Sequence, residues 1–325
     1  MAVFKFYNIQ LLPTNNNEVK EVGSNGYCKL FAALQSSLNE TKEKKYPLSA
    51  IAASMQRDMF FAPYSIDIKE YPGKKDKKSR IVHGYFLKFD NVNELFDIDS
   101  GKSEYKSKGN TSSKRYSLEF VFDPKNHILA INDIKGLPSR TPLIKALEDL
   151  FSGHAHRLFP KHGLTIDELT SADSLEELFS QPIKGFKSYK GKVTFSNSDL
   201  FDTAVQEELR KTEQEMKDTG VAAWESKYSS FDGSVMSDLP SSAKVQMALA
   251  TQYGNAETVY MDESGKRQKY QMQDFPVRLP LEEEQPKGTL SRALSIRNLI
   301  VSAKQKTRAA LSALTKNNKV LDNQS

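Results

Sequence analysis

Strand-like segments recur at residues 3–12, 64–71, 81–89, 118–123, 128–134, 164–169 and 183–195, and apolar and polar residues alternate with a period of two in 3–12, 64–71 and 81–89. A chain that repeats this pattern so often pairs those segments into sheets with one buried face. The connections are short and carry turn chemistry. The segments at 64–71 and 81–89 flank the lysine-rich "PGKKDKKSR", and those at 118–123 and 128–134 flank "DPKNH". In "ETVYMDESGKRQKYQMQ" two more arms flank Glu263-Ser264-Gly265-Lys266, where glycine takes positive φ without steric cost. Such hairpins join antiparallel neighbours.

Between the strands lie stretches that read as helical, at 21–37, 47–59, 141–153, 241–251, in "SADSLEELF" and in "SNSDLFDTAVQEELRKTEQEMKDTG", which stops at Gly220. Serine caps, a Thr141-Pro142 start and terminal glycines mark their ends. Residues 100–115 are polar and rich in Gly and Ser and read as a mobile loop. Together these features predict an α+β chain: two mixed domains with largely antiparallel sheets and packed helices, followed by a basic C-terminal helix. The expected divisions are 1–160, 161–286 and 287–325, with the first break at "HRLFPKHG".

The net charge of +5 is modest, but the basic residues are grouped. Lys74, Lys75, Lys77, Lys78 and Arg80 fill the tip of one hairpin, and residues 287–321 hold eight basic residues and no acid. Grouping of this kind puts a positive field on one face, which draws in anionic partners. In the strand 183–195, period two places Lys184, Phe186, Ser188, Lys190 and Lys192 on one side if the strand is straight. Cations beside an aromatic ring suit phosphates and bases, while a solvated lysine face is the plain alternative. Lys266 and Arg267 at the later hairpin are available to a phosphate as well. In the C-terminal helix Ile296, Ile300, Ala303, Thr307, Ala310 and Leu314 form an apolar stripe, and Arg297, Lys304 and Arg308 a basic one beside it. The pattern fits a dimer helix, a duplex-facing helix or a membrane-surface helix, the last weakened by the lack of Trp and Phe in the segment, and a simple packing helix is the plain alternative.

Catalytic signals are weak. His154, His156 and His162 with Asp167 could hold a metal, and Asp97, Asp99, Glu119 and Asp123 could serve a metal-dependent nuclease or phosphoesterase. The histidines sit at a helix end, where the macrodipole alone favours them. Phosphate-cradling loops, dinucleotide glycine patterns and nucleophile elbows are all missing from the sequence. The single cysteine, Cys28, allows no internal disulfide and agrees with a reducing compartment. No apolar run approaches the ~20 residues of a membrane span, and "MAVFKFYNIQLL" lacks the parts of a signal peptide. A cytoplasmic protein with no cofactor, no metal and no catalytic residue is expected.

"FKFYNIQLL", "YSLEFVFDPKNHILAI", and "TIDELTSADSLEELFSQPIKGFKSYKGKVTFSNSDLFD" followed by "AETVYMDESGKRQKYQMQDFPVRLPL" resemble the RexA-like proteins of phage exclusion and bacterial anti-phage defence. The stretch that reads PN-x-D in that family is "SNSDLFD" here, so only Asn197 and Asp199 match it. The resemblance implies a homodimeric DNA-binding sensor of infection, partnered by a small membrane effector encoded nearby. It leaves three expectations in view: a non-enzymatic, largely sequence-independent DNA binder, a metal-dependent nuclease, and a protein-interaction adaptor for that effector.

Overall fold

The computed structural model describes residues 1–14, 19–73, 78–92, 94–107, 111–194, 219, 221–282 and 288–321, with side chains to residue 307. Along the chain come β1 (Ala2–Pro13), α1 (Ser24–Glu43), β2 (Ala53–Met55), β3 (Met59–Pro72), β4 (Lys78–Asp90), β5 (Glu94–Phe96) and β6 (Ser103–Lys106). Next are β7 (Arg115–Asp123), β8 (Ile128–Asn132), α2 (Arg140–Leu158), β9 (His162–Glu168), α3 (Asp173–Ser180), β10 (Ile183–Thr194) and β11 (Ala223–Ser229). The chain closes with α4 (Ser241–Tyr253), β12 (Gly254–Asp262), β13 (Arg267–Gln271), β14 (Arg278–Leu281) and α5 (Thr289–Leu321). The fold is α+β with mostly antiparallel sheets. Among the described residues no helix is long and apolar enough to cross a membrane.

Two compact units form: Met1–Phe4, Val22–Pro160 and Pro280–Asn298 make the first, and Lys5–Glu21, Lys161–Leu279 and Leu299–Ser325 the second. The C-terminal stretch 287–325 is therefore not a region of its own. Its helix α5 belongs to the first unit up to Asn298 and to the second from Leu299. Ile296, Ile300, Ala303 and Thr307 are fully buried in the chain itself, so this stripe is spent on packing and is not a free seam for a second copy. Ala310 and Leu314 lie beyond the described side chains.

In the first unit the strands run in the order β8-β7-β4-β3-β2, each antiparallel to the next. Helix α1 turns Tyr27, Leu30, Phe31, Leu34 and Leu38 inward at helical spacing. Phe31 stacks on Phe122 of β7 with centroids 4.6 Å apart and meets Phe151 of α2 edge-on at 5.0 Å. Phe86 of β4 stacks on Phe61 and Phe120, continuing this aromatic core across three strands.

The expected helix at 47–59 is instead one 3-10 turn followed by β2 and the start of β3. Arg57 and Asp58 both adopt positive φ, which closes a tight β2–β3 hairpin and aligns Ala53 with the buried Phe61. Pairing and burial override the helical reading here. The stretch 100–115, expected to be a mobile loop, contains strand β6, which pairs antiparallel with β5 just before it. Helix α2 also runs past Gly153, a tolerated helix-interior glycine, to Leu158.

Asp90, at the end of β4, pins the chain leading into β7. Its carboxylate accepts bonds from the Ser112 hydroxyl at 2.6 Å, from the backbone N–H groups of Ser113 and Lys114 at 2.8 Å each, and from the Ser113 hydroxyl. Burial pushes this carboxyl up, but the four bonds outweigh that and hold it down at about 2. A depressed folded-state pKa gives stability that is complete above the unfolded value near 4 and disappears as pH falls towards 2. Asp90→Ala is therefore expected to be less stable than the parent at neutral pH, with the gap closing between about pH 4 and pH 2. Urea titrations at stepped pH test this; a gap that stays constant with pH would refute the assignment.

In the second unit the remainder of β1 pairs antiparallel with β9, from Tyr7 opposite Glu168 to Pro13 opposite His162. The strands β11-β10-β12-β13 form an antiparallel sheet. One face of this sheet is covered by α3 and α4, whose Leu175, Leu178, Ala243, Met247 and Ala250 pack with Phe186, Tyr189, Val193 and Tyr270. The turn between β12 and β13 follows the sequence expectation: Gly265 has φ 80°, and Asp262 accepts bonds from Ser264, Lys266 N–H and Gln268.

Candidate nucleic-acid interface

β10 is not straight. Its pairing with β12 shifts register between Ile183 and Gly185 and again between Phe186 and Ser188. The Phe186 backbone meanwhile exchanges two 2.8 Å hydrogen bonds with Met236. A β-bulge resets which residues share a face. Phe186 is consequently buried with Tyr189 and Val193 instead of standing beside the lysines. Gly185 is required at the bulge, because a Cβ there would lie 2.5 Å from the Val235 side chain and 2.7 Å from the Met236 carbonyl.

Past the bulge the alternation is regular, and the face away from α3 and α4 can be read from the register. Lys192 lies between Glu225 and Asn255, Lys190 between Lys227 and Glu257, and Ser188 between Ser229 and Val259. On β13, Lys269 is opposite Val259 and Arg267 opposite Met261. Five cations, Lys190, Lys192, Lys227, Arg267 and Lys269, thus share a face with the two carboxylates of Glu225 and Glu257, and all five are exposed. Lys192 bonds Glu225 at 2.9 Å, and Lys269 bonds Glu257 at 2.9 Å. Each hydrogen bond and the charge behind it hold the glutamate below its ordinary range. Lys190 and Lys227 are directly opposed, an arrangement of like charges that weakens a sheet.

Sequence reasoning found Lys190, Lys192 and Arg267 but missed Lys227 and Lys269. The period-two pattern of "AWESKYS" and of "RQKYQ" carried the signal, with polar residues between Trp224, Ser226 and Tyr228 and around Tyr270. Lys184 is exposed at the start of β10, and Lys266 is exposed on the turn.

The other expected phosphate contacts are otherwise engaged or lie outside the described residues. Lys78 and Arg80 both pair with Glu70, at 3.1 and 3.2 Å, and Arg80 also reaches Asn25. Two cations share this one acid, and both remain exposed. Lys74, Lys75 and Lys77 at its tip are outside the described residues, as are Asn197, Asp199 and the Arg308 side chain. Arg297 turns inward: its Nε lies 3.0 Å from the fully buried Asp123 and its guanidinium sits 5.3 Å from the Tyr71 ring centroid. The basic edge expected on α5 therefore loses its first member. Lys304 is partly buried.

The carboxylates considered for metal chemistry do not gather. Glu119 takes a two-pronged contact from Arg292 at 2.6 and 2.7 Å, Asp123 is held by Arg297, and Asp97 caps the Ser100 N–H in the β5–β6 turn. His154 bonds Arg157 at 3.2 Å, and His162 bonds the Lys20 carbonyl at 3.0 Å. Among the described residues no group of three or more His, Cys, Asp or Glu side chains is placed to hold a metal ion.

Comparison with curated proteins finds no match. A family model described as a domain of unknown function, DUF4747, matches residues 4–298. Both units contribute to that match, and the chain belongs to the DUF4747 family.

Proposed function

We propose that this protein is a non-enzymatic, largely sequence-independent DNA-binding protein whose contact surface is the outer face of the β11-β10-β12-β13 sheet. The observation that carries the proposal is the excess of cations there, five against two carboxylates, with Lys190 and Lys227 opposed. A sheet keeps two like charges side by side at some cost to stability, and a polyanion relieves that repulsion. Among the described residues this face carries no aromatic ring, and four of its five cations are lysines, point charges suited to phosphates rather than to reading of sequence. Service in a bacterial anti-phage system, as a cytoplasmic homodimer beside a membrane effector, is part of the proposal and is supported by the RexA-like resemblance alone.

Anisotropy titration of a random-sequence duplex at stepped salt tests it. If four or five phosphates are contacted, log affinity falls with log salt at a slope of about −4. Lys227→Gln makes the sharper prediction. It is expected to flatten the slope by about 0.9 and weaken binding severalfold near 0.1 M salt, while stabilising the fold by roughly 0.5 kcal/mol. Stability and affinity moving in opposite directions is the signature of a cation kept for a partner. No affinity for any DNA at low salt would remove the proposal and favour the adaptor reading.

A further inference from the structure

Within the first unit one aromatic side chain stands apart from the core for a structural reason. Tyr64 is the extra residue of a β-bulge in β3: Pro63 pairs with Phe86, Ser65 pairs with Tyr85, and Tyr64 has no partner between them. The surroundings fix this bulge on three sides. Pro63 brings no N–H to the ladder, so the position tolerates an interruption. Gly84 is needed beneath it, since a Cβ there would fall 2.0 Å from the Ser65 carbonyl oxygen. β3 pairs with β2 only as far as Phe61, and beyond that point α1 supplies the missing donors: Gln35 to the Ile66 carbonyl at 2.7 Å and Lys42 Nζ to the Tyr64 carbonyl at 3.1 Å.

A bulge held this firmly re-aims a side chain, and such sites recur beside functional centres. Here it leaves Tyr64 40% exposed with two cations near its ring. Lys42 Nζ lies 5.7 Å from its ring centroid and the Arg115 guanidinium 5.0 Å. Tyr85, opposite Ser65 in the register, is also solvent-exposed, at 42%. The ring holds both cations in place by cation–π attraction. A phosphate needs the cations, and a base needs the ring.

We infer that this surface binds an unpaired nucleotide of a single-stranded nucleic acid, with the base against Tyr64 and the adjoining phosphate on Arg115 and Lys42. A duplex hides its base faces inside the stack, so the site adds a strand-state preference that the aromatic-free lysine sheet does not have. The inference rests on the reading of the protein as a nucleic-acid binder.

The probes are a fluorescein-labelled oligo-dT strand of about 20 nucleotides and a labelled duplex of equal length, titrated onto the full chain; a stacked base justifies an effect of about tenfold. Tyr64→Leu is expected to weaken oligo-dT binding by about tenfold and leave duplex binding unchanged, with Tyr64→Phe retaining the parent's affinity. Arg115→Gln, which leaves the bulge intact, should weaken oligo-dT binding severalfold and flatten its salt slope by about 0.7. Should Tyr64→Leu melt early, the Tyr64→Phe and Arg115→Gln pair decides alone. Parental oligo-dT affinity in Arg115→Gln and Tyr64→Leu overturns the inference, as does an equal loss for both probes. If the parent binds the duplex yet these variants change nothing, only this site falls; if the parent binds neither probe, the DNA-binding reading falls with it.

Discussion

Ile300→Glu is expected to abolish stable folding of the second unit at room temperature. Ile300 is fully buried on α5, where the removal of its apolar surface and the placement of a carboxylate without a partner add together. The combined cost is on the order of 5 kcal/mol or more, which equals the whole stability of many domains. Thermal melts followed by circular dichroism, with light scattering for size, check it. The expected result is a lost or strongly lowered transition together with aggregation, because the stripe of Ile296, Ile300, Ala303 and Thr307 is interior to one chain. A variant that melts normally but changes only its oligomeric state would show instead that the stripe is an interface between copies.

Asp123→Ala is the second large effect. The Asp123 carboxylate is fully buried and serves three partners: the Lys125 N–H at 2.9 Å, the Asn126 side chain at 2.8 Å, and Arg297 at 3.0 Å. Its loss opens the β7–β8 turn and strands a mostly buried guanidinium, a change that costs about 3–5 kcal/mol and lowers the melting temperature by roughly 10 °C. Arg297→Met combined with Asp123→Asn should recover much of that loss, because no buried charge is then left alone. DNA affinity measured below the transition is expected to equal the parent's in both variants. A large affinity loss in the double variant at unchanged stability would restore Arg297 as a phosphate contact.

Residues whose conformation is set by their immediate neighbours were legible from the chain. Gly265 closes the β12–β13 turn because only its backbone is free to take positive φ there, and Asp262 completes the turn over a span of four residues. The inward stripe of α1 follows from the helical period, which needs no knowledge of the partner. The grouping of basic residues is likewise a property of the sequence. α+β architecture follows from these local facts taken together.

The candidate site was only half legible, since its composition depends on which segments meet. The faces of β10 were decided by bulges that answer to Met236, a residue far along the chain, and so Phe186 went to the core and left the lysines without an aromatic. Lys227 and Lys269 joined Lys190 by strand pairing that no single segment announces. In the same way Arg292 and Glu119 meet across 173 residues of sequence, and Arg297 is consumed by Asp123. By itself the sequence determined the periods, the turns and the supply of charge, because each depends on covalent geometry within a few residues. Only the tertiary structure decided which charges cancel and which remain exposed, because electrostatic pairing falls off over a few ångströms and those distances exist only after the chain has folded.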